Sequence, residues 1–164
     1  MKLLLILFLL ASCTHVRQVK NIPDPLTVAG PDISKISPIN IKINYDSTYD
    51  GRSEIDTNNF DQRITEALAS KGLVRDKKSS DFLEIDINRF TVFGQGLVFC
   101  QSLIELTARA KIAGKELKPT RFSNSQNGYF CAFDTTDSKM RQPSKEALEK
   151  VLSDLAQWLT EPVK

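Results

Sequence analysis

A chain of 164 residues with 41% hydrophobic and 26% charged residues has the proportions of a soluble globular protein, which excludes a disordered chain and a membrane-spanning bundle. Its formal net charge of +2 announces neither nucleic acid nor an anionic membrane surface, so any basic patch has to be local. The length fits one ordinary domain with enough apolar surface to bury a core unaided.

Met1 and Lys2 form a minimal positive start, Leu3 to Leu10 is an unbroken apolar run, and the small residues Ala11 and Ser12 precede Cys13. The run is too short for a membrane span, which needs about 20 apolar residues, and fits the core of a cleavable export signal. Leu10-Ala11-Ser12-Cys13 resembles the lipobox of bacterial lipoproteins, in which the leader is cut before the cysteine and the cysteine is acylated. The expectation is a signal peptide over 1–12 and lipidation at Cys13. Two or three acyl chains hold a protein stably where one holds it marginally, at about 0.8 kcal/mol per buried methylene. In Gram-negative lipoproteins an Asp after the cysteine favours retention at the inner membrane. Thr14 stands there, which points to the outer membrane, facing the periplasm.

From Cys13 to Pro38 the chain carries Pro23, Pro25, Pro31, Pro38 and Gly30 without a sustained period. It reads as a lipidated tether over 13–38 that would span roughly 75 Å if extended like polyproline, with part of it free to pack on the domain. A single α+β periplasmic domain is expected over 39–164. Ile39, Ile41, Ile43 and Tyr45 alternate with polar residues as in a half-buried strand. Asn58 is a plausible cap for a helix that buries Phe60, Ile64, Ala67 and Leu68 and ends at Gly72. Phe82 to Val92 alternates again, but the apolar parity changes near Asn88 and Arg89, so a β-bulge is expected there. The longest strand runs from about Val98 to Ile112. It sets Ile104, Leu106, Ala108, Ala110 and Ile112 inward, and Glu105, Thr107, Arg109 and Lys111 outward.

Gly114-Lys115 suits a two-residue hairpin turn, leading to a strand over about Leu117 to Phe122 that Pro119 demotes to an edge. Ser123 to Gly128 reads as a polar loop. Pro143-Ser144 opens a last helix with Leu148, Val151, Leu152, Leu155 and Leu159 as its apolar stripe. Trp158, beside the stripe, either covers the rim of the core or serves a partner. The expected order is β-α-β-β-β-α: an antiparallel-rich sheet of about four strands with both helices on one face.

Cys100 and Cys131 remain once Cys13 is acylated, and an even pair in an exported domain is most simply a disulfide. With Gly114-Lys115 as the turn, Cys100 would face Tyr129, two residues short of Cys131. Closing a loop of about 31 residues would stabilise the fold by roughly 3.7 kcal/mol before strain. The alternative, a redox or metal site, has no C-x-x-C pair to support it. His15, the only histidine, lies in the tether, which disfavours Ser-His-acid catalysis and a zinc site. Glu84 and Asp86 read as a solvated strand face rather than an acid/base pair. Gly94-Gln95-Gly96 precedes a strand rather than a helix, so no phosphate-cradling loop is expected. Neither catalysis nor a cofactor is expected.

The lipobox, the Pro-rich tether and the element order resemble the small outer-membrane lipoproteins of the YajG type and the auxiliary lipoproteins of ABC-type lipid-transport systems. The lipoprotein partner of the lipopolysaccharide-assembly barrel is also similar, although its Cys-Gly-Phe start is absent here, where Cys13 precedes Thr14 and His15. The local match runs from Asn58-Asn59-Phe60 through Gly72-Leu73-Val74, then Asp81 through Ile87. The resemblance implies a non-catalytic role with two forms. The first is a scaffold or accessory subunit docking on an envelope complex through a sheet edge or the surface around Arg109, Lys111 and Trp158. The second is a lipid- or lipopolysaccharide-binding module with an apolar groove between helices and sheet. In either, the membrane is engaged through the acyl chains on Cys13, and nucleic acid is not a partner.

Overall fold

Apolar residues at every second position from Ile39 and at helical spacing from Phe60 set the alternation of strand and helix that the computed structural model displays. The structure describes residues 14–18, 25–45, 57–95, 99–129 and 138–161. Their elements are β1 (Thr14–Gln18), β2 (Asn40–Tyr45), α1 (Thr57–Ala69), β3 (Phe82–Gln95), β4 (Phe99–Ile112), β5 (Lys115–Tyr129) and α2 (Ser138–Leu159). The fold is α+β.

The sheet is mixed. Long β3, β4 and β5 form an antiparallel meander, while β1 and β2 lie end to end along the free side of β3. β1 runs antiparallel to Thr91–Gln95 of β3 and β2 parallel to Phe82–Ile87. The sheet is antiparallel-rich as expected, and β2–β3 is its parallel pair because α1 carries the chain back to the end from which β2 started, as a β-α-β crossover does. The expected bulge is present, between Ile87 and Arg89. It resets the inward parity from Ile85 and Ile87 to Phe90, all buried.

The β4–β5 turn sits one residue earlier than Gly114-Lys115. Ile112 pairs with Lys115, and Ala113 and Gly114 have φ of 51° and 77°, the double positive φ of a type I′ turn. Asp81 holds this turn, accepting the Ala113 and Gly114 N–H groups at 2.7 and 3.1 Å. With the earlier turn and one extra residue in β5 at Lys118 and Pro119, Cys100 pairs with Gly128, not Tyr129. Residues 123–128 are strand, not loop. Their backbone pairs with β4, and an edge strand needs only a half-buried inner row, here supplied by Asn124 and Gln126. Lys118 and Pro119 oppose the single residue Arg109 in a second bulge, the position where a proline costs an edge strand least. α2 begins at Ser138, ahead of Pro143, because Lys139, Met140, Arg141 and Gln142 are good helix formers.

Both helices cover one sheet face in a single core. Phe60 of α1 meets Phe90 edge-on at 5.4 Å, and Trp158 of α2 meets Phe122 at 5.8 Å. The end of α1 is a Schellman motif: Leu73 N–H bonds Leu68 C=O, Gly72 N–H bonds Ala69 C=O, and Gly72 has a φ of 93°.

Much of the expected tether is packed. Thr14–Gln18 is a sheet strand, and residues 25–38 form a strap over the helices. Along the strap, Leu26, Val28 and Ile33 are buried in the core. Thr27 and Ala29 N–H groups bond Glu149 Oε1 and Ser153 Oγ of α2, at 2.6 and 2.9 Å. Ile33 N–H bonds Lys71 C=O just beyond α1, at 2.9 Å. The odd apolar residues of a proline-containing segment carry no period of their own, because a third layer, not a strand or helix, buries them.

Candidate interaction surface

The outward face of the sheet is an ionic lattice. Arg109 reaches Glu84 and Asp86 at 3.2 and 3.3 Å. Asn44 Nδ2 donates to the same two carboxylates at 2.9 Å each. Arg121 pairs with Glu105 at 2.8 Å, and Asn88 donates to Thr107 at 2.8 Å. Glu84 and Asp86 are thus satisfied, and exposed pairs of this kind are worth at most about 1 kcal/mol. Arg109 sits in this lattice, and Lys111 pairs across the strands with Phe82 and Glu116. Trp158 does not join them. It lies on the opposite face, 8% exposed, so it covers the rim of the core and is not part of one surface with Arg109 and Lys111.

Cys13 and Cys131 lie outside the described residues. Cys100 is placed by its backbone, in β4 near the end of the sheet that also receives Thr14: Gly94 pairs with Cys100 and Gln95 with Thr14.

The sequence pointed to a sheet edge without saying which; among the described residues, the outer edge of β2 pairs with no strand. The Asn40 N–H points to β3, bonding Asp81 C=O at 2.9 Å. The main-chain groups of Ile39 point the other way, to Val74 C=O and Asp76 N–H, at 3.0 and 2.8 Å. By strand alternation, the N–H and C=O of Ile41 and Ile43 also face away from β3. Beside them is a depression of about 400 Å³ lined by Asn40, Ile41, Lys42, Ile43, Asn44, Asp61, Thr65, Arg75 and Lys77. Lys42, Arg75 and Lys77 are exposed. Asp61, the one carboxylate in this lining, accepts the Tyr45 hydroxyl at 2.9 Å. Burial pushes its pKa up, against the Tyr45 bond and the charge of Arg75. The sequence signal for this cluster is weak: Lys42 lies more than thirty residues from Arg75 and Lys77, and they are joined only because Val74–Asp76 returns beside Ile39.

No family model matches the chain, and no curated protein matches it. Among solved structures, a DUF330-family protein from Xanthomonas campestris aligns at a TM-score of 0.59 and 17% identity, over 86% of this chain and 92% of that one. The two share a fold. A minor lipoprotein from Acinetobacter baumannii aligns at a TM-score of 0.36 and 17% identity, over 76% of this chain and 90% of its own. A Caulobacter crescentus chain aligns at 0.39 and 19%, over 73% and 92%. These two scores lie below the range of a shared fold. Among the described residues no helix is long and apolar enough to cross a membrane.

Proposed function

We propose that the protein is a membrane-anchored, non-catalytic accessory subunit of a cell-envelope complex. It is held by acyl chains on Cys13 in the outer membrane and faces the periplasm. The observation that carries this reading is the adjacency of the lipobox Leu10-Ala11-Ser12-Cys13 to a strand of the domain, since Thr14 is already in β1. One peptide bond separates the acylated residue from the sheet, so no free spacer intervenes. The domain then sits at the bilayer surface with the Gln95 end of β3 toward it, rather than at the end of a long tether. A subunit fixed this way presents its remaining edges to neighbours in the membrane plane.

The packed core counts against the lipid- or lipopolysaccharide-binding alternative. The space between helices and sheet, where its groove would have to lie, is filled by Phe60, Ile64, Phe90, Leu148 and Leu152 of the same chain, all buried. The anchor is tested by labelling cells with radioactive palmitate and separating inner from outer membrane. Label on the wild type in the outer-membrane fraction and none on Cys13→Ala is expected. An unlabelled, freely soluble wild type would overturn the anchor. Lipid extracted in stoichiometric amount from the purified, unacylated domain would move the reading to the alternative.

A further inference from the structure

We infer that the outer edge of β2, which among the described residues no strand covers, takes an extended acidic strand from a partner protein by β-augmentation. This rests on the accessory-subunit reading and names the surface such a subunit would use. β2 pairs with β3 over Asn40–Tyr45 without a register shift, whereas the opposite sheet edge, β5, is interrupted by its bulge at Lys118 and Pro119. Interruptions of that kind are how proteins protect edges from pairing. On β2 the first step of an added strand already exists: Val74 and Asp76 exchange hydrogen bonds with Ile39, and the chain then turns away at Lys77. Beyond it, Ile41 and Ile43 offer two donor–acceptor pairs in the same direction, the register an added strand uses. The depression between this edge and α1 leaves room for side chains on one face of the guest.

Charge selects the guest. Lys42, Arg75 and Lys77 line the edge and, among the described residues, make no ion pair. Asp61 accepts the Tyr45 hydroxyl and already feels the charge of Arg75, which leaves Lys42 and Lys77 as the cations that select. A second copy presenting its own β2 would bring the same three cations and be repelled, whereas a strand with alternate carboxylates is attracted.

The test uses the full-length protein in detergent and two labelled peptides of about eight residues, one alternating valine with glutamate and one alternating valine with lysine. Ile43→Pro removes an outward N–H without breaking the β2–β3 ladder, which uses Asn40, Lys42 and Asn44. The Lys42→Glu, Lys77→Glu double variant leaves the backbone intact. The glutamate peptide is expected to bind with saturation, the lysine peptide at least about tenfold more weakly, and each variant to lose about tenfold for the glutamate peptide. Equal binding of both peptides, no binding, or binding indifferent to the double variant would overturn the inference. So would concentration-dependent dimerisation abolished by Ile43→Pro. So would glutamate-peptide binding gained only after Asp46, Asp50, Glu54 and Asp56, in the stretch 46–56 that follows β2 in the sequence, are changed to amides, which would give the edge to that stretch. In cells, a membrane neighbour crosslinked equally by wild type and the double variant would sink this inference and leave the accessory role standing. A wild type with no specific neighbour would sink that role itself.

Discussion

Gly72→Ala should be the most damaging single-methyl change in the domain, because it meets two independent constraints. With φ at 93°, an L side chain costs about 1–2 kcal/mol. The added Cβ would also lie 2.5 Å from Ser34 Cβ, 2.8 Å from Ser34 Cα and 2.9 Å from Ser34 N. Two of these three are backbone atoms, so relief requires the strap to lift from the end of α1. Lifting it weakens the Ile33 N–H to Lys71 C=O bond, worth about 1 kcal/mol. It also uncovers part of Ile33, whose full burial is worth about 1.5–3 kcal/mol. The expected loss is about 3–5 kcal/mol, a large share of the ~5–15 kcal/mol typical of a domain. Urea unfolding of the unacylated domain reads it through Trp158, the only tryptophan, packed edge-on against Phe122. The midpoint should fall with little change in slope. Ser34→Gly in the Gly72→Ala background should restore only part of the loss, since the backbone atoms remain. A loss under about 1 kcal/mol, or complete rescue by Ser34→Gly, would refute the close approach of strap and helix end.

Asp81→Ala removes both acceptors of the β4–β5 turn and should cost about 1–3 kcal/mol in the same urea assay, with hydrogen exchange quickening first at Ala113 and Gly114. Arg109→Ala should cost no more than about 1 kcal/mol, since its partners are half-exposed and solvated. A larger loss in thermal melts would mean that the outward lattice holds the fold together. Asp61 has a raised pKa, so the folded state holds its proton more tightly than the unfolded chain does. Its contribution is present below the unfolded pKa and lost as pH rises through the folded one. Asp61→Asn should therefore equal the wild type or exceed it at neutral pH, with the difference closing in acid, as urea midpoints measured across pH would show. If Cys100 and Cys131 are joined, alkylation of the denatured, unreduced domain should leave both unlabelled. Labelling of both would remove the disulfide from the account.

Periodicity revealed the elements that bury a regular row. The alternation at Ile39–Ile43, the face Phe60, Ile64 and Leu68, the parity change at Asn88 and the C-terminal Gly72 all appear in the structure as local rules require. What escaped was set by tertiary contact. Ser123–Gly128 looked like a loop because a half-buried edge strand needs few apolar side chains, its backbone being satisfied by β4. Leu26, Val28 and Ile33 looked like tether because a strap buries side chains without a period. Ala113 in the left-handed region was unreadable without Asp81, thirty-two residues away, to bind the turn. The same holds for the surface. Arg109 and Lys111 were legible as outward residues and Trp158, beside the apolar stripe, as a cover for the rim of the core; only its partner there, Phe122 of β5, was not. The edge of β2 emerged only when the parallel pairing with β3 fixed which main-chain groups are spare.

The accessory role is tested most directly by crosslinking full-length protein in living cells under mild conditions, capturing it from membranes and identifying what accompanies it. One enriched subunit of an envelope transport, assembly or secretion system, lost in Cys13→Ala, is the expected result. A wild type captured without any specific neighbour, or an unchanged neighbour in Cys13→Ala, would contradict it.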